Sequence, residues 1–150
     1  MEDAYKTINN TLVSLINEIW ELEAKAIITE EFKDITNNDM HVIEAVGPGE
    51  GNNMSSIARK LNITVGSLTT AMNSLVKKGY VVRERSEEDR RVVLIKLTDK
   101  GIKAYHHHED YHRQMTQAIV DTLNEEEMVV WVKSLDALTE FFTGYGKRKE

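Results

Sequence analysis

Between Met54 and Leu97 the hydrophobic pattern changes its period once, and that change restricts the fold more than any other feature of the chain. Met54, Ile57, Ala58 and Leu61 recur at steps of three and four, as one face of a short helix does, and Asn62 closes it. Thr64 stands where a cap opens the next helix, TVGSLTTAMNSLVKKG, which stops at Gly79. From Val81 the pattern becomes strand-like, with VRER and VVLIKL on either side of a polar SEEDR tip too long for a tight turn. Two short helices joined by about three residues form a helix-turn-helix, and a hairpin directly after it makes a winged helix.

The flanks are helical. Over residues 3 to 28, Ile8, Leu12, Leu15, Ile19, Leu22 and Ala26 alternate steps of four and three, a seam that predicts one long amphipathic helix. A loop around TEEFKDI follows. Thr36 with Asp39 is a capping pair for a short second helix ending at Gly47-Pro48-Gly49, and GEGNN reads as a polar connection. Thr98 caps a fifth helix, and Asn124 with Glu127 opens a sixth. Met128, Trp131, Leu135, Leu138 and Phe142 make a second seam there, and GYGKRKE is expected as a solvated tail. The fold class is thus mainly α with a small β-hairpin: a winged helix-turn-helix at 36–97 between helical segments at 3–35 and 98–146.

Charge says which part of this fold can meet an acidic partner. The 150 residues, 41% hydrophobic, suffice for one modest core, and their net charge is −6. That charge is uneven: residues 54 to 100 hold ten Lys or Arg against five acids, a local +5, and the remainder stands at −11. Only the middle is suited to face phosphate. Within it, VRERSEEDRRVV holds Arg83, Arg85, Arg90 and Arg91, four of the seven arginines.

In the fourth helix Val65, Leu68, Met72 and Leu75 are expected to point inward, which leaves Gly66, Ser67, Thr70, Asn73, Ser74 and Lys77 outward without an acid among them. Small hydroxyls and an amide suit the DNA major groove, and the flat arginine cation suits a narrow minor groove. Neighbouring strand residues point to opposite faces, so one of Arg90 and Arg91 is expected in the groove and the other on phosphate or an acid. Asp89 is placed to brace an arginine by a bidentate pair.

Other classes lack their residues. Cysteine is absent, which excludes disulfides, thiolate ligands and cysteine-based redox sensing. The early acids Glu2 and Asp3 fit neither a secretory leader nor a membrane span, so a cytoplasmic protein without a membrane partner is expected. There is no glycine-rich phosphate loop, nucleophile elbow or HExxH, so no enzyme is expected. A winged module that binds only proteins would carry an acidic wing and a hydrophobic recognition face, and this chain carries neither.

DRRVVLIKLTDKG at 89–101, led into by LVKKGYVVRERSEEDRR, follows a wing signature of Asp, Arg, a strand run and Leu-Thr-x-x-Gly. On it the chain resembles the MarR family of winged-helix transcriptional regulators over nearly its whole length. The resemblance implies a homodimer on a palindromic stretch of double-stranded DNA, with 3–35 and 98–146 as dimerisation helices. It implies recognition-helix roles for Thr64, Ser67, Thr70, Asn73 and Lys77, and wing roles for Asp89 as brace and Arg91 as the minor-groove residue. TVGSLTTAMNSLVKKGY and the pair Met40-His41 are similar to the fatty-acid-biosynthesis repressor (FabT-like) subgroup, which implies long-chain acyl-acyl carrier protein as corepressor and partner.

The histidines are His41 and the run HHHEDYH, which holds His106, His107, His108 and His112. His108 and His112 stand one turn apart, a spacing suited to a shared metal ion; His106 and His107 face elsewhere and are expected in solvent. With His41 alongside and a carboxylate such as Glu21 or Glu23, they would make a zinc site, and the family includes zinc-uptake repressors with such histidines. The leading reading is a polar edge to an acyl pocket walled by Ile16, Trp20, Met40, Ile43, Tyr111 and Met115, with His41, His108 and His112 neutral beside it; zinc is the alternative, and plain surface or core the third reading.

Overall fold

The structure, a computed structural model, describes residues 1–147. The chain forms two compact units, one of Met1–Tyr111 and one from His112 onward. In the first, α1 (Glu2–Ile27), α2 (Asn37–Val46), β1 (Asn52–Asn53), α3 (Met54–Leu61), α4 (Val65–Lys77), β2 (Val81–Arg85) and β3 (Val93–Leu97) lead into α5 (Asp99–Val120). The second unit holds the end of α5 and α6 (Glu125–Lys147).

Local hydrogen bonds explain the boundaries. Thr36 and Asp39 exchange side-chain and backbone bonds in a full capping box at α2. Asn53 accepts from the Ser56 amide at 2.8 Å to open α3, and Asn62, at φ 54°, closes it in the left-handed region. Thr98 Oγ1 accepts from the Gly101 amide at 3.1 Å to open α5. In the second unit, Asn124 and Glu127 cap α6 reciprocally.

The hairpin pairs Val81 with Leu97 through Arg85 with Val93, joined by a loop over 86–92. GEGNN, expected as a connection, contributes a third strand: Asn52 pairs with Ile95 and Asn53 with Leu94, giving the order β1-β3-β2. Gly51, at φ 97°, permits this approach, because a Cβ there would lie 2.7 Å from Lys96 Cγ and 2.8 Å from the Ile95 carbonyl oxygen. Gly101 meets a harder limit: its Cβ would run into the Tyr80 carbonyl. The Leu-Thr-x-x-Gly spacing therefore places a cap and a residue without side chain where α5 crosses the root of the wing.

Ile57, Leu68, Met72, Leu75, Tyr80 and Ile95 form the centre of the core, and Ile27, Phe32 and Ala104 join it from outside 36–97. Val65 does not. It is 42% exposed, because the first position of α4 projects beyond the core that begins at Leu68. Much of the α1 seam is also exposed within its unit, including Ile8, Leu15, Ile19 and Leu22. On α6, Trp131, Leu135 and Phe142 are likewise exposed. The expected tail is helical through Lys147, since the local glycines lower helix propensity without ending the helix, and residues 148–150 lie outside the described ones. Among the described residues no helix is long and apolar enough to cross a membrane.

Candidate nucleic-acid interface

The sequence-predicted face of α4 is exposed at Thr64, Ser67, Thr70, Asn73 and Lys77, and half-buried at Ser74. Two of its hydroxyls are engaged at the helix start: Thr64 Oγ1 accepts from the Ser67 amide at 3.1 Å, and the two side-chain oxygens lie 2.9 Å apart. Their first role is therefore the cap. A Cβ on Gly66 would meet nothing closer than Thr64 Oγ1 at 3.8 Å, so no internal packing calls for glycine there.

β2 lies against α4, and Arg83 Nη2 donates to Asn73 Oδ1 at 2.6 Å. Arg85 and Arg90 are exposed on the wing. Asp89 holds Arg91 by a bidentate pair, Nε to Oδ1 at 3.0 Å and Nη2 to Oδ2 at 3.1 Å, and also accepts from the Arg91 amide at 3.0 Å. The Arg91 guanidinium holds the Asp89 carboxyl below its ordinary range, so the brace stays ionised. The Arg91 side chain is 91% exposed, so the pair presents the cation to solvent. A second wing acid is engaged as well: Glu84 takes Lys96 at 2.9 Å and raises the lysine's pKa.

The histidine region of the first unit is a separate cluster. His108 Nε2 lies 3.3 Å from Glu23 Oε1, His41 Nε2 lies 3.7 Å from Glu23 Oε2, and Asn37 donates to Glu23 Oε2 at 3.1 Å. Burial pushes the Glu23 carboxyl up, but the Asn37 amide and the two histidines outweigh it and hold it below the ordinary value. Glu44, missed at the sequence level, reaches both rings, at 3.7 Å from His41 Nδ1 and 3.6 Å from His108 Nδ1. Its signal was present in the i,i+3 spacing from His41. His41 Nε2 and Asn37 Oδ1 are buried without a hydrogen-bond partner among the described residues. His107, expected in solvent, is half-buried at 3.2 Å from the Ala26 carbonyl with its ring 5.3 Å from Phe32.

The donors are of the kinds that zinc takes. One atom each from His41, Glu44 and His108 lies within 4.8 Å of the others. Ligands of a tetrahedral zinc stand about 3.3 Å apart, so small side-chain adjustments would gather the three. His112 stands one turn beyond His108 on α5, half-buried, in the second unit.

Of the predicted acyl walls, Trp20 stacks on His41 with centroids 5.5 Å apart. Met40 and Ile43 are fully buried in the core cluster that also holds Ile57 of α3 and Leu68 of α4. Ile16 and Met115 are exposed on α1 and α5, and Tyr111 is half-buried.

A family model described as a winged helix DNA-binding domain matches residues 35–101. The crystal structure of Streptococcus pneumoniae FabT in complex with DNA superposes with a TM-score of 0.82 at 37% identity, covering 94% of this chain and 99% of that one. The Staphylococcus aureus MepR–DNA complex gives a TM-score of 0.65 at 26% identity over 87% of this chain and 94% of that one. In sequence, the transcriptional regulator PchR of Bacillus subtilis is 26% identical over 93% of this chain and 90% of its own length. The chain belongs to the MarR-type family of winged-helix, DNA-binding transcriptional regulators.

Proposed function

We propose that the protein is a homodimeric repressor that reads a palindromic operator and controls fatty-acid biosynthesis genes, with long-chain acyl-acyl carrier protein as corepressor. The observation that carries this reading is the likeness to S. pneumoniae FabT across nearly the whole of both chains. It agrees with the FabT-like motifs in TVGSLTTAMNSLVKKGY and Met40-His41. Homodimerisation is supported by the exposed seams on α1 and α6, apolar surface that a second copy would cover. In this dimer Thr70, Asn73, Ser74 and Lys77 meet the major groove, Arg83 stands beside Asn73, Thr64 and Ser67 hold the helix start, and Arg91 reaches the minor groove with Arg85 and Arg90 near phosphate. An acyl chain would lie along Ile16 and Trp20 beside His41.

A second reading, a zinc-responsive repressor of metal-uptake genes, is favoured by one observation: the buried His41 Nε2, without a hydrogen bond and 3.7 Å from Glu23, in a cluster with His108 and Glu44. In that reading His41, His108 and a carboxylate hold the ion.

Fluorescence anisotropy on a palindromic site from a fatty-acid synthesis promoter of the source genome, in chelator, separates the two. Long-chain acyl-acyl carrier protein is expected to tighten binding by roughly tenfold, within the usual range of allosteric coupling. No acyl response, with tightening when zinc replaces chelator, transfers the function to the second reading.

A further inference from the structure

Asn73 and Arg83 are both exposed, yet they are not independent. Arg83 Nη2 donates to Asn73 Oδ1 at 2.6 Å, from the first strand of the wing to the middle of α4. A guanidinium only donates, so the amide end that meets Arg83 has to be the oxygen. The flipped amide would set its own N–H groups against a cationic donor. A charge-assisted bond of this length belongs to the strong class, and it fixes the amide's polarity. Nδ2, with two hydrogens, is left as the end turned away from Arg83.

This polarity decides what the side chain can read. An asparagine that reads adenine uses both ends, accepting from N6 and donating to N7. The Asn73 oxygen is already engaged by a cation, and that cation repels the electropositive amino groups of adenine N6 and cytosine N4. Guanine presents two acceptors, O6 and N7, and no donor on that edge. They match the two hydrogens of the Asn73 amide that Arg83 turns outward. We infer that Asn73 and Arg83 act as one donor-only reader that selects guanine over adenine in the major groove. The inference rests on the reading that α4 enters that groove. Arg83 is the positioning residue of the pair, because it sets which end of the amide meets the base.

The test is selection of sites from randomised duplex DNA by the intact protein and by Asn73→Ala, Arg83→Ala and Arg83→Lys, with single-base variants of the selected site compared by competition. The unaltered protein is expected to prefer guanine over adenine by about tenfold at one position of each half-site, and Asn73→Ala to lose the preference at that position alone. Arg83→Ala frees the amide to flip, and the preference there falls below about threefold as adenine becomes acceptable. Arg83→Lys, still a pure donor, retains it. An unchanged guanine preference in Arg83→Ala, with affinity lowered equally for all sequences, overturns the inference and makes Arg83 a phosphate contact. Selection of adenine at the position that depends on Asn73 overturns it too. Failure of the unaltered protein to select any sequence is a distinct result, which removes the groove reading and the inference with it.

Discussion

Asp89→Ala separates two opposite effects of an acid on a DNA-binding wing. Asp89 repels phosphate, and it also holds Arg91 by two side-chain bonds at 3.0 and 3.1 Å. With 91% of the Arg91 side chain exposed, little packing would replace those bonds if they were lost. Without the brace the guanidinium explores its rotamers, and fixing it on binding costs about a fivefold loss of affinity per wing, or about 25-fold for the two wings of the proposed dimer. The opposing gain is small. Over roughly 8 Å in a water-like dielectric, and with a screening length of about the same size, removing one acid improves affinity by less than about twofold per wing.

Ordering therefore wins, and Asp89→Ala is expected to weaken operator binding by about tenfold after the repulsive part is deducted. Anisotropy titration at about 0.15 M ionic strength measures it, in a cycle with Arg91→Ala and the double variant. Once Arg91 is absent, Asp89→Ala should change affinity by no more than the electrostatic factor. Equal or tighter binding by Asp89→Ala alone would refute the brace, and so would an equal loss with and without Arg91.

Two further outcomes follow from the root of the wing. Gly101→Ala drives a Cβ into the Tyr80 carbonyl where backbone meets backbone, and it is expected to destabilise the fold by about 3 kcal/mol, lowering the melting temperature by roughly 6 to 12 °C in calorimetry at fixed protein concentration. A variant that melts with the unaltered chain would show that α5 can shift at no cost. The Tyr80 hydroxyl, 2.6 Å from Asp34 Oδ1, is the first cause that holds the Asp34 carboxyl below its ordinary value, with Lys100 assisting. Below about pH 4 the unfolded chain binds this proton before the folded chain does, so the stability that Asp34 contributes is complete above that pH and is lost as pH falls through the depressed folded value. Urea midpoints between pH 6 and 2.5 should fall more steeply for the unaltered protein than for Tyr80→Phe, and parallel curves would exclude the coupling.

Features set by neighbours in sequence were legible. The Thr36–Asp39 and Asn124–Glu127 caps are local hydrogen bonds, written in the spacing of three, and the wing follows from a change of period that needs no tertiary information. β1 was not legible, because two asparagines paired to a distant strand carry no alternating pattern, and only Gly51 marks the close approach. Val65 obeyed the helical period of its neighbours, but periodicity does not say where along a helix the core begins. The Arg83–Asn73 bond and the Glu44 contacts depend on how separate elements pack, so residue type and spacing offered the partners without the pairing. The same holds for Met40 and Ile43, whose apolar character fits a pocket wall and a core equally well.

The negative chain and its DNA-binding role are reconciled by the same packing. Net charge acts through distance, and at physiological ionic strength a charge more than about 8 Å from phosphate is largely screened. What matters is the field at the wing and α4, within the segment that carries +5, and there two of the acids are engaged by cations: Glu84 by Lys96 and Asp89 by Arg91. Neither pair is expected to contribute much to stability, since exposed ion pairs seldom do. Their consequence lies in direction. Each acid consumes little of the positive field and determines where a cation points, and in the wing that converts a mobile charge into a placed one.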